Sequence, residues 1–156
     1  MSGEIAGPRF GIKDRDQLLA TAVLGGAAFL LLELRFEHRE VLGESWQSWI
    51  PLVYCGLTLA TGATSLFRWR TWGRATLGAL FALAIVVGIA GFWFHTGGHL
   101  LVGMRDLLGA WRIPLGQDGG IKIGSRPPAL APLAFCGLGA LGALICFAPR
   151  TSAGTP

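Results

Sequence analysis

The sequence predicts an all-α integral membrane protein: a bundle of four transmembrane helices with a small extracytoplasmic cap. Three observations lead there. Four apolar runs, at 17–32, 49–67, 75–94 and 129–148, contain no charged residue. Hydrophobic residues make up 52% of the 156 positions and charged residues 14%, which is too apolar for a soluble domain of this size. The charges that do occur fall between the runs, with an uneven distribution of sign. Bilayer hydrocarbon is about 30 Å thick, so a spanning helix needs roughly 20 apolar residues. Three of the runs reach that length unaided.

The first run is shorter but extends at both ends. Arg15 can snorkel, and Leu34 and Phe36 continue the apolar pattern, giving a span at 17–36. Mixed-charge residues precede it and no small-x-small cleavage site follows, so it reads as a retained span and not a cleaved signal. The next segment, 33–47, carries Glu33, Glu37, Glu40 and Glu44 against Arg35 and Arg39. The second span is 49–67. The turn after it holds Arg68, Arg70 and Arg74, and so short an arginine-rich loop favours the cytoplasmic side. The third span is 75–95, and the outer loop runs over 96–126. Four spans then leave both termini in the cytoplasm of a plasma or inner membrane, and the chain forms one domain over 1–156.

The outer loop has its own pattern. Over 99–111, apolar Leu100, Leu101, Met104, Leu107, Leu108 and Trp111 alternate with Arg105 and Asp106, as in a short helix lying in the interface. Two short alternating stretches around the glycine-rich turn at 116–120 predict a hairpin. Pro127 and Pro128 then open the last helix, where a missing N–H costs little, and the fourth span is 129–148. Tryptophans sort to the ends: Trp69 and Trp72 to the inner headgroup level, Trp46, Trp49, Trp93 and Trp111 to the outer. Small residues at close spacing (Gly56 and Ala60, Thr58 and Gly62, Gly139 and Ala143) allow helices to approach in lipid. The last run has the most such positions and is expected to be the most closely packed.

Cys55, Cys136 and Cys146 all lie inside apolar runs and read as small hydrophobes. The net charge of +4 is spread along the loops. No basic stripe with interleaved aromatics points to nucleic acid.

Chemistry concentrates on the outer side. His38, His95 and His99 all follow spans, and Glu33, Glu37 and Glu40 would share one face if the first helix continues. Carboxylates at that spacing repel by about 0.2–0.5 kcal/mol per pair, so the stripe calls for a partner. A transition metal is one: Glu33, Glu37, His38, His95 and His99 form a candidate ligand set suited to zinc, manganese or iron. It requires that Gly97 and Gly98 not end the helix between the two imidazoles. Arg105 and Arg112 are the alternative partners. A haem held by His38 with His95 or His99 is a further reading. A carrier normally keeps ionisable groups within its spans, and here the span cores have none. No nucleophile–histidine motif, phosphate loop or dinucleotide fingerprint occurs.

The expected role is therefore a non-catalytic accessory or scaffold subunit of a larger membrane assembly, an energy-transducing one among the candidates. Its partners would be the lipid bilayer and other membrane subunits. The alternatives are a metal- or haem-binding redox protein and a small carrier.

Overall fold

The computed structural model describes residues 15–37, 39, 42–110 and 130–149. Among these the chain is helical apart from short turns and has no strand. The helices are α1 (Arg15–Glu37), α2 (Trp49–Phe67), α3 (Arg74–His95), α4 (Leu100–Ala110) and α5 (Leu130–Phe147). Three helical stretches, Arg15–Phe36, Trp46–Phe67 and Trp69–His95, are long and apolar enough to cross a membrane, which identifies an integral membrane protein. At 1.5 Å per residue, the 23 residues of α1 measure roughly 35 Å. The hairpin predicted at 113–123, the partner residue Arg112, and His38 and Glu40 lie outside the described residues.

Helix α1 packs against α2 and α5, α2 packs against α3, and the most extensive contact is between α3 and α5. That last interface is built on glycine. In lipid, association relies on dispersion and close backbone approach, because hydrocarbon neighbours gain nothing hydrophobically by leaving lipid. A Cβ at Gly88 would lie 2.6 Å from the Pro132 carbonyl oxygen, and one at Gly139 would lie 2.6 Å from that of Phe81. The Phe81 ring fills the notch left by Gly142, and Gly78 faces Cys146. The Cys136 thiol sits over Gly88 and donates to the Ile85 carbonyl at 3.6 Å. Positions on α3 and α5 thus meet in antiparallel order: Gly78 with Cys146, Phe81 with Gly142, Gly88 with Cys136 and Gly91 with Pro132.

Two apolar clusters fill the space between the helices. One joins Ala20, Val23 and Leu24 to Leu77, Phe81 and Cys146; the other joins Leu30 and Leu34 to Leu52, Tyr54, Ala84 and Phe135. The Tyr54 ring meets Phe135 edge-on at 5.9 Å, and its hydroxyl donates to the Leu80 carbonyl at 2.8 Å. Large apolar side chains such as Phe29, Leu57, Val86 and Leu144 point outward, toward lipid.

The turn between α2 and α3, Trp69–Gly73, is kinked at Thr71, whose φ of −103° and ψ of −105° are not helical. The Arg68 carbonyl accepts from the amides of Thr71 and Gly73, both at 3.0 Å, and from the Thr71 hydroxyl at 2.9 Å. Gly73 is required here, since a Cβ would lie 2.0 Å from the Ser65 carbonyl oxygen. This turn sorts its two indoles to opposite sides. Trp69, predicted at the headgroup level, is 3% exposed and belongs to the first core cluster, whereas Trp72 is half exposed. At this kinked turn the Trp69 indole packs inward against the first cluster.

Side chains close the helix ends at the same level. The Gln17 amide of α1 donates to the Leu66 carbonyl of α2 at 2.9 Å. The Arg74 guanidinium donates to the Ala148 carbonyl at 2.7 Å and the Ile145 carbonyl at 3.3 Å, and lies 3.6 Å from the Asp16 carboxylate. The last carbonyls of a helix have no partner within it and carry its negative partial charge. A cation placed there satisfies both needs, and Asp16 balances it from the positive start of α1.

Two predictions follow from this packing. Gly139→Val should destabilise the fold by about 1–3 kcal/mol through overpacking, while Gly56→Ala, with nothing within 4 Å of its Cβ position, should change it by less than about 0.5 kcal/mol; unfolding in mixed micelles measures both. Arg74→Ala should cost about 1–3 kcal/mol, because it takes the donor from the Ile145 and Ala148 carbonyls, and Arg74→Lys should recover only part of that loss.

Candidate functional site

The opposite end of the helices, around His95, carries the residues singled out for chemistry. Helix α3 ends there for a backbone reason. Gly97 and Gly98 adopt φ values of 59° and 85°, a region that only glycine enters without penalty. The Gly98 amide donates back to the Trp93 carbonyl at 3.0 Å. This closes the helix end in the manner of a Schellman motif, and the reversed chain runs into α4. Gly103 of α4 lies so close to Thr96 that a Cβ there would meet its methyl at 2.0 Å. Helix α4 is thus seated on the end of α3 through a glycine contact, with Leu101, Val102 and Leu108 exposed.

This geometry separates the two histidines. His95 is the last residue of α3 and half-buried; His99 is exposed and its carbonyl accepts the Gly103 amide at 3.0 Å to start α4. They do not share one helical face, because the glycine turn intervenes. Glu33 is exposed on α1. Glu37 ends α1, but its side chain, like His38, lies outside the described residues. Among the described residues no three His, Cys, Asp or Glu side chains converge as a metal site would require. Nor do Glu33 and Arg105 form an ion pair within that set; Arg105 is exposed on α4.

His95 does border a cleft. Leu34 of α1, Ile50 and Pro51 of α2, Val87, Gly91 and Phe94 of α3, and Pro132 and Phe135 of α5 form apolar walls. Gln47, from the 3₁₀ turn Trp46–Ser48, and His95 are its hydrogen-bonding residues. Ser45 holds the Gln47 amide oxygen from outside through its hydroxyl. The Trp49 indole N–H donates to the Leu42 carbonyl at 2.9 Å, which ties the incoming loop over the start of α2. The cleft has a volume of about 50 Å³. That is room for roughly three or four waters and far below the several hundred Å³ of a small-molecule pocket.

The polar residues that do most in the structure were not among the candidates. Arg74 reads in the sequence as one of three loop arginines, Gln17 as the first residue of the first apolar run and Asp16 as the residue before it. The one available signal was position: Arg74 and Asp16 both stand within two residues of the start of an apolar run, where a side chain can reach a neighbouring helix end.

Comparison with protein families, curated proteins and solved structures finds no match.

If the glycine turn seats α4, Gly97→Ala and Gly98→Ala should each cost about 1–2 kcal/mol from the left-handed backbone. Tryptic cleavage after Arg105 should accelerate in both variants, as followed by mass spectrometry of the protein in micelles.

Proposed function

We propose that this chain is a four-span membrane protein, with α1, α2, α3 and α5 each crossing the bilayer, and that it serves as a non-catalytic accessory or scaffold subunit of a larger membrane assembly. In this reading both termini are cytoplasmic and the membrane is a plasma or inner one. Helix α4 belongs to the outer cap, and α5 completes the bundle as its fourth span. The arginines of the α2–α3 turn support that orientation.

One observation carries the reading: the longer polar side chains between the helices bond to backbone, while the buried Ser65 hydroxyl has no hydrogen-bond partner among the described residues. Gln17, Tyr54 and Arg74 all donate to backbone carbonyls of neighbouring helices. The runs at 49–67, 75–94 and 130–148 contain no acid, base or histidine. A proton or ion path needs such groups or a wet cavity, and the cleft beside His95 is small and apolar-walled. In each of the three spanning stretches, 33% of the most apolar window is buried within the chain. The remainder is available to lipid and to other subunits. Gly56 on α2 and Gly137 on α5 present open backbone there, with nothing within 4 Å of a Cβ position.

A second reading keeps the metal site. Its support is the half-buried His95 at the cleft, at the same end as exposed His99. Glu33, Glu37 and His38 are the remaining candidate ligands, and a transition metal or a haem the candidate cofactor.

Purification in gentle detergent, with mass spectrometry of co-eluting chains and metal analysis of the same fraction, separates the two. Stoichiometric partner chains without metal are the expected outcome. An isolated chain with about one equivalent of transition metal, lost in His95→Ala and His99→Ala, would replace the subunit reading with the metal one. The orientation predicts that Thr71→Cys reacts with an impermeant maleimide only from the cytoplasmic side and Ser45→Cys only from the other.

A further inference from the structure

The α2–α3 turn carries more cation than the fold uses. Arg74 is committed to α5 and Asp16. Arg68 and Arg70 are both exposed, as is Arg15 at the start of α1, and none of the three forms an ion pair among the described residues. Arg15 belongs to the same end of the molecule, because its neighbours Asp16 and Gln17 reach Arg74 and the Leu66 carbonyl. The only acid described at this end is Asp16, which faces Arg74.

Depth is the second observation. Phe67 is 75% exposed and ends the apolar surface of α2; Arg68 follows immediately, and Trp72 is half exposed on the same turn. Indoles prefer the headgroup level, so the guanidinium groups stand where lipid phosphates lie. The third observation is order. Three hydrogen bonds to the Arg68 carbonyl and the obligatory Gly73 hold the turn in one shape, so little loop entropy opposes binding.

We propose that Arg68, Arg70 and Arg15 form a binding site for the phosphate headgroups of anionic phospholipids, with Trp72 beside it at the headgroup level and Phe67 against the acyl chains below. Guanidinium forks match phosphate oxygens two at a time, and the apolar flank favours a lipid over a soluble anion. This inference rests on the membrane-spanning helices and not on the subunit reading.

The test uses the full chain in detergent micelles, titrated with phosphatidylglycerol or phosphatidylcholine, with bound lipid counted by native mass spectrometry. Wild type should retain phosphatidylglycerol in preference. Each basic residue near a charged surface contributes about a fivefold gain in binding, so R68Q/R70Q should lose roughly 25-fold for phosphatidylglycerol and nothing for phosphatidylcholine. R68K/R70K should keep most of the preference. A thermal melt in micelles checks that R68Q/R70Q folds as wild type does, as expected for side chains that the fold does not use. Equal retention of both lipids by wild type, or a phosphatidylglycerol preference untouched in R68Q/R70Q, overturns the proposal. So does a co-purifying protein that R68Q/R70Q releases without any lipid preference, since the arginines would then serve a partner's acidic segment.

Discussion

Bilayer hydrocarbon offers no water to a polar group, and the structure follows from that constraint. Backbone amides and carbonyls must be satisfied inside the chain, which restricts the spanning segments to helices. It also leaves the helix ends as the places where polarity has to be managed. At one end, Gln17 and Arg74 supply donors to the terminal carbonyls of α2 and α5. At the other, Gly97 and Gly98 turn the backbone so that α3 caps itself. The two ends use different chemistry because their sequences differ: arginines crowd the first, while glycines and histidines crowd the second.

The same constraint explains why glycine is the packing residue. Between α3 and α5 the backbones approach until no Cβ fits at Gly88 or Gly139. Such contact gains dispersion along the whole seam, and it fixes the register, because each notch accepts one neighbour. Arg74 then locks that register at its end by bonding the α5 carbonyls from the first residue of α3. Helices α1 and α2 are placed by side-chain contact instead: Leu24 lies over Gly62, and Leu30 and Leu34 join Leu52 and Cys55 in one cluster. The α3–α5 pair is accordingly the spine, and the polar groups elsewhere serve to position the other helices on it.

The helices were legible in the sequence because their cause is local. The spans predicted at 17–36, 49–67 and 75–95 correspond to α1, α2 and α3 within two residues at either end. The close packing of the last run was legible in its glycine spacing, although which helix it met was not, since spacing marks a face and not a neighbour. That Trp69 packs inward while Trp72 faces out was not legible, because indole preference gives a level and not a face. Arg74 was read as topology and not as a cap, because its target, a carbonyl 74 residues away, has no sequence signature. The break between His95 and His99 was visible in Gly97 and Gly98. What the turn does with each imidazole, placing one at a cleft and the other on the surface, depended on α4 folding back through Gly103.

The central claim is that α3 and α5 form one rigid unit on which the remaining helices are arranged. Amide hydrogen exchange of the protein in lipid nanodiscs tests it most directly. Residues 78–92 and 132–146 should exchange slowest and open together at one common rate, with residues 100–110 exchanging fastest among the helices. If 132–146 exchanged independently of 78–92, or as fast as 100–110, the spine would not exist as described.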